Sequence, residues 1–212
     1  MTNPLLETHL LPPFSAIEVA QIQPAIEQLI ARNKATIDEL LDSGEPYSWK
    51  TLLQPIEALD DELAQAWSPV SHLNAVRNSD ELREAYNACL PLLSEYSTWM
   101  GQHSRLYEAY RQIADSEEYR KLDTGQRKAL DNALRDFRLA GVALPAEKKQ
   151  RYGELKQRLS ELGAKFGENV LDATNAWSRQ VTGEELAGLP DTALALAKQA
   201  AKQEGADGYL IN

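Results

Sequence analysis

The chain has 212 residues, 43% apolar and 25% charged, with 22 Lys/Arg against 32 Asp/Glu. That apolar content supports a buried core and excludes extensive disorder, which pairs low hydrophobicity with high net charge. No run approaches the ~18 consecutive apolar residues of a membrane span, and Met1 to His9 lack the basic and apolar regions of a signal peptide.

The net charge of −10 is carried by the first half. Residues 1–100 hold 5 Lys/Arg and 15 Asp/Glu, a net of −10, whereas residues 101–212 hold 17 of each. An acidic first half provides no basic face for a phosphate backbone, so nucleic acid is excluded as a partner. An acidic wall attracts cationic peptides more readily. Cys89 is the single cysteine, which rules out an internal disulfide and a cysteine-built zinc site and points to a reducing cytosol.

Eight of the ten prolines precede residue 92. Met1 to Phe14 reads as an extended lead-in, and Ser15 with Glu18 forms a capping-box pattern. From there the helical period dominates. The first helix, from about Pro24 to Asp42, sets Ile26, Leu29, Ile30, Ile37, Leu40 and Leu41 on one side, and Gly44 and Pro46 stop it. The second runs from about Trp49 to Trp67 with Pro55 at its N1 position, then bends at Ser68-Pro69 and continues through His72 and Val76.

The third is read as one long helix over Asp80 to Ala114, with Asn78 and Glu81 as its capping pair. Its stripe from Leu82 through Tyr96 and His103 to Tyr110 keeps alternating steps of four and three for about four heptads, which predicts near-antiparallel packing on a neighbour. Pro91 marks a kink in it. A fourth helix covers Gln126 to Leu139, opened by Asp123 with Gln126 and closed near Gly141.

The fifth helix spans Pro145 to about Trp177, and its stripe of Tyr152, Leu155, Leu159, Leu162, Phe166, Val170, Ala173 and Trp177 predicts extensive packing. Gly163-Ala-Lys-Phe-Gly167 within it is the spacing that permits a close helix contact. Thr182 with Glu185 marks another helix start, and Asp191 to Glu204 is an Ala-rich helix. The tail, Gly208 to Asn212, is β-like but has no evident sheet. The fold class expected is an all-α bundle of long antiparallel helices.

Motifs for catalysis are missing from this pattern. A zinc hydrolase places two His at i and i+4 of one helix with a Glu between them, whereas His9, His72 and His103 are isolated from one another. His103 on its apolar stripe reads as a buried, hydrogen-bonded imidazole, and His72 as a side chain bonding a carbonyl at a helix end. Cys89 shares a stripe with Leu93 and reads as a small core residue. The carboxylate runs Asp60-Asp61-Glu62 and Glu117-Glu118 point in different directions around a helix and read as solvated charge. There is no G-x-S-x-G, no phosphate-binding glycine loop and no dinucleotide fingerprint. No catalytic, cofactor-binding or metal-binding residue is assigned.

Several segments nevertheless resemble one family. Leu11-Pro-Pro-Phe-Ser15, Ser68-Pro-Val-Ser-His-Leu-Asn74, Leu90-Pro-Leu-Leu-Ser-Glu-Tyr-Ser-Thr98 and Asp131-Asn-Ala-Leu-Arg-Asp-Phe137 are similar to the beginning of thimet-oligopeptidase-like zinc metallopeptidases of the M3 family. So are Leu144-Pro145, Arg158-Leu-Ser-Glu-Leu162 and Asn169-Val-Leu-Asp-Ala-Thr174, in register over essentially the whole chain. Glu18-Val-Ala20 departs from the family pattern.

The resemblance implies a much longer, mostly helical enzyme with a deep channel that admits short peptides, its zinc held by an H-E-x-x-H motif and a downstream Glu in the C-terminal part. It divides this chain into a lead-in at 1–23, a helical N-terminal domain at 24–207 and the start of a truncated strand at 208–212. The expected partners are the C-terminal catalytic region of the same enzyme and, in the intact enzyme, short peptides; no membrane is expected. Zinc is implied for the whole enzyme and not for these residues, so the chain alone is expected to be inactive. The alternative is an independent helical interaction module that self-associates through its long apolar stripe.

Overall fold

The computed structural model describes residues 3–211. These residues form seven α-helices and a two-stranded sheet, divided between two compact units at 1–161 and 162–212.

In the first unit, α1 (Val19–Asp42) begins five residues before Pro24. Its capping box is Glu18 with Gln21, whose Oε1 accepts the Glu18 N–H at 3.1 Å. The Ser15–Glu18 pair does not cap it; a single 3-10 turn at Phe14–Ala16 occupies that stretch. Pro24 lies inside the helix and leaves one ladder bond unmade. Gly44, at φ 74°, follows the helix end as its spacing foretold.

A π-turn at Trp49–Leu53, capped by Ser48, leads into α2 (Gln54–Val76), with Pro55 in its first turn. Ser68-Pro69 does not end α2, which runs through both residues. Packed against α1 and α2 is α3 (Asp80–Gly101). Its cap is Ser79, whose Oγ accepts the Leu82 N–H at 3.2 Å, instead of Asn78. Asn78 turns back to donate to Asn74 Oδ1 at 2.8 Å.

The four-heptad helix is in fact two helices. Gln102 leaves the helical region at φ −106°, ψ 9°, His103 is extended, and α4 (Ser104–Ala114) starts afresh. Tertiary contact overrides the heptad pattern here. Gly101 meets α5 (Thr124–Leu139) so closely that a Cβ on it would stand 2.5 Å from Cβ of Ala140. Gln102 Nε2 then donates to the Ala140 carbonyl at 3.1 Å. α5 itself follows the sequence, with Asp123 and Gln126 as a complete capping box and Gly141 beyond its end at φ 83°.

Two apolar clusters form this unit's core. Ile22, Ile26, Val70, Leu82, Cys89 and Tyr96 join α1, α2 and α3. Leu52, Ile56, Leu106, Ile113, Leu130 and Phe137 join the π-turn, α2, α4 and α5. Leu106 and Leu130 are fully buried, and each such side chain contributes about 1.5–3 kcal/mol relative to its exposed state.

The last long helix, α6 (Ala146–Ala176), matches its sequence boundaries but not its expected packing. None of its residues is buried. In the first unit Leu155 and Leu159 are exposed, and in the second Leu162, Phe166 and Val170 are too. A Cβ on Gly163 or Gly167 would meet open space, so the G-x-x-x-G spacing makes no close helix contact among the described residues.

The second unit continues with β1 (Arg179–Val181), α7 (Asp191–Gln203) and β2 (Tyr209–Ile211). The tail strand has a partner after all: β1 and β2 pair antiparallel, with Gln180 opposite Leu210. Three-residue strands are marginal alone; α7 packs on β2, and Val181, Leu186 and Ala197 form a small core. Thr182 and Glu185 exchange the capping hydrogen bonds that their spacing implies, at 2.8 and 3.3 Å, but they close a turn and no helix follows directly. Among the described residues no helix is long and apolar enough to cross a membrane.

Candidate functional site

The first unit holds a groove of about 310 Å³ beside α3, lined by Pro91, Ser94, Thr98 and Trp99 with Gly153 and Gln157 of α6. Helical spacing puts Pro91, Ser94 and Thr98 on one face, and Gly153 of α6 faces the Thr98 methyl, where an added Cβ would make an ordinary contact at 3.6 Å. Glu95 also lines the groove and pairs with Lys34 of α1 at 3.7 Å. The Lys34 ammonium sits 5.5 Å from the centre of the Trp99 ring, within cation–π range.

His103 stands edge-on to Trp99 with ring centres 4.8 Å apart. Its Nδ1 accepts the Leu106 N–H at 3.1 Å and so caps α4, while Nε2 lies 3.8 Å from Asp38. Burial lowers its pKa despite that carboxylate. A cap acceptor must be unprotonated, and the shift agrees. His103 is thus the partnered, largely buried imidazole expected, but it terminates a stripe at a helix junction instead of sitting inside one helix.

The other titratable side chains are scattered. His9 Nε2 is 3.0 Å from the Pro4 carbonyl oxygen. His72 is exposed and lies against Phe14, ring centres 5.4 Å apart, in place of the carbonyl bond expected of it. Cys89 is fully buried, and burial followed by the Glu27 charge pushes its thiol up to about 11, which leaves it inert as a nucleophile at neutral pH. Among the described residues no three His, Cys, Asp or Glu side chains stand where they could hold a metal ion. These residues therefore do not fit the zinc that the family resemblance implies for a whole enzyme.

Sequence reasoning missed a polar seam between the two cores. Asn33 of α1 is fully buried and donates to the Leu59 carbonyl at 3.2 Å. Tyr96 of α3 is buried beside it, and burial plus the nearby Asp60 charge push its phenol up to about 12. Desolvation and Glu57 raise the Asp60 carboxyl to about 6. Only the run of acids was visible in the sequence; that Asp60 alone turns toward a buried tyrosine depends on helix packing.

Taken together, the groove offers hydroxyls, an amide, a carboxylate and an indole.

The family model for the neurolysin/thimet oligopeptidase N-terminal domain matches residues 26–149, more than half of the chain. The chain belongs to the neurolysin/thimet oligopeptidase family. Within that family it is 54% identical over all 212 residues to oligopeptidase A of Salmonella typhimurium and 53% identical to that of Escherichia coli, covering 31% of each. The organellar oligopeptidase A of Arabidopsis thaliana is 34% identical over 205 residues, which cover 96% of this chain and 26% of the relative. The chain thus spans between a quarter and a third of the length of these relatives.

Proposed function

We propose that this chain is the N-terminal helical part of an oligopeptidase that hydrolyses short peptides in the cytosol, forming one wall of the channel that receives them. Residues beyond the matched third supply the zinc chemistry. The observation that carries this reading is identity above 50% to two oligopeptidases A over the whole chain, aligned with only 31% of their length. The groove beside α3 agrees with this reading, since its hydroxyl, amide and indole groups suit contact with a peptide. In this role the acidic first half favours cationic peptides by field alone, an effect that salt screens.

The test is replacement. This chain is grafted in place of the matching N-terminal region of Escherichia coli oligopeptidase A, and cleavage of a quenched fluorescent peptide is followed. Retained, chelator-sensitive cleavage is expected. A folded but inactive chimera contradicts the reading.

A further inference from the structure

Helix α6 is amphipathic in the wrong sense for a finished surface. At about 100° per residue, Leu162, Phe166 and Val170 fall within one arc of about 80°, and Trp177 follows just past the helix end. All four face solvent, with exposures of 46, 72, 51 and 54%. The half-buried positions of the same stretch, Ala164, Glu168 and Leu171, lie on the opposite side. A soluble helix ordinarily turns its apolar stripe inward. One isolated exposed leucine needs no account, but a contiguous row with a phenylalanine and a tryptophan marks an interaction surface.

We infer that this stripe of the second unit is the docking face for the portion of an oligopeptidase chain that lies beyond the matched third. The inference rests on the reading proposed above. Two observations favour that occupant over a second copy of the chain. The relatives carry more than two thirds of their length outside the match, so an additional body of polypeptide is available to cover the stripe. The four side chains offer on the order of 500 Å² on a scale where one buried aromatic contributes 150–250 Å². That suits an interface between parts of one chain, about 600–1,500 Å² in total, and falls short of the ~800 Å² per partner of a stable complex.

Thiol labelling reads the face directly. Phe166→Cys and Val170→Cys are placed separately in the chain and in the Escherichia coli chimera, and labelling by iodoacetamide is timed by peptide mass spectrometry. Both sites are exposed, so neither substitution threatens folding. We expect labelling at least tenfold slower in the chimera. Equal rates in an active chimera overturn the inference and leave the peptidase reading intact. An inactive chimera with protected cysteines counts for the docking face and against the peptidase reading; an inactive, unprotected one counts against both. Sedimentation of the isolated chain completes the test: a dimer that Phe166→Glu converts to monomer assigns the stripe to a second copy and overturns the inference.

Discussion

Gly101→Ala is the sharpest probe of the junction that divides the long apolar stripe. Alanine is favoured over glycine within a helix by up to ~1 kcal/mol, so from α3 alone the substitution is stabilising. The packing says otherwise. The new Cβ would stand 2.5 Å from Ala140 Cβ, where carbon atoms prefer about 3.5–4.0 Å. Both atoms sit directly on backbone, so relief requires the ends of α3 and α5 to part by roughly 1 Å, and overpacking of this kind costs about 1–3 kcal/mol. The net expectation is about 1–2 kcal/mol of destabilisation, read as a lower urea midpoint by far-UV circular dichroism. Removing the opposing methyl in Gly101→Ala/Ala140→Gly restores room, so the double variant is more stable than the sum of the single effects by about 1 kcal/mol. A midpoint that is unchanged or raised by Gly101→Ala, or strict additivity in the double variant, refutes the close approach as the cause of the break.

The remaining predictions concern caps and titration. Ser79→Ala removes the α3 cap and lowers stability by about 1 kcal/mol in the same urea assay, more than Asn78→Ala does; the reverse order restores Asn78 as the cap. Asp60 has a folded-state pKa raised from 3.8 to about 6, so the folded state binds more protons and stability falls as pH rises from about 4 to 6. Part of its side chain reaches solvent, which screens the effect. Asp60→Asn therefore stabilises the protein above pH 6 by about 1 kcal/mol and changes nothing near pH 4; a uniform effect at both pH values disproves the linkage. His103 acts in the opposite direction: its lowered pKa gives stability that is complete above the ordinary 6.5 and lost as pH falls below it. His103→Asn keeps a capping acceptor without the titration and flattens that loss; an unaltered acid limb rules His103 out as its source.

These residues also show how far the sequence can be read. Local chemistry was legible: the Asp123–Gln126 box, Pro55 in the first turn of α2, Gly44 and Gly141 beyond helix ends, and Cys89 in the core all depend on neighbours within a few residues. The α3–α4 break was not, because the heptad stripe runs unbroken across Gly101 and only the proximity of Ala140 interrupts it. The same limit hid the partner of the tail strand, 28 or more residues away in sequence, and the Asn33–Asp60–Tyr96 seam, drawn from three helices.

The stripe of α6 failed differently. Its period was read correctly, and its helix formed, but periodicity names an apolar face without naming what covers it. The groove beside α3 was beyond reach because Thr98 and Trp99 come from α3 and Gly153 and Gln157 from α6, and no motif unites them.

In the function proposed above, this chain lines a peptide channel and other residues hold the reactive metal. The most direct test is zinc content by mass spectrometry, together with quenched-peptide cleavage, on the purified 212-residue chain before and after chelation. Substoichiometric zinc and no cleavage above buffer are expected in either state. One zinc per chain with cleavage that the chelator abolishes would contradict that function.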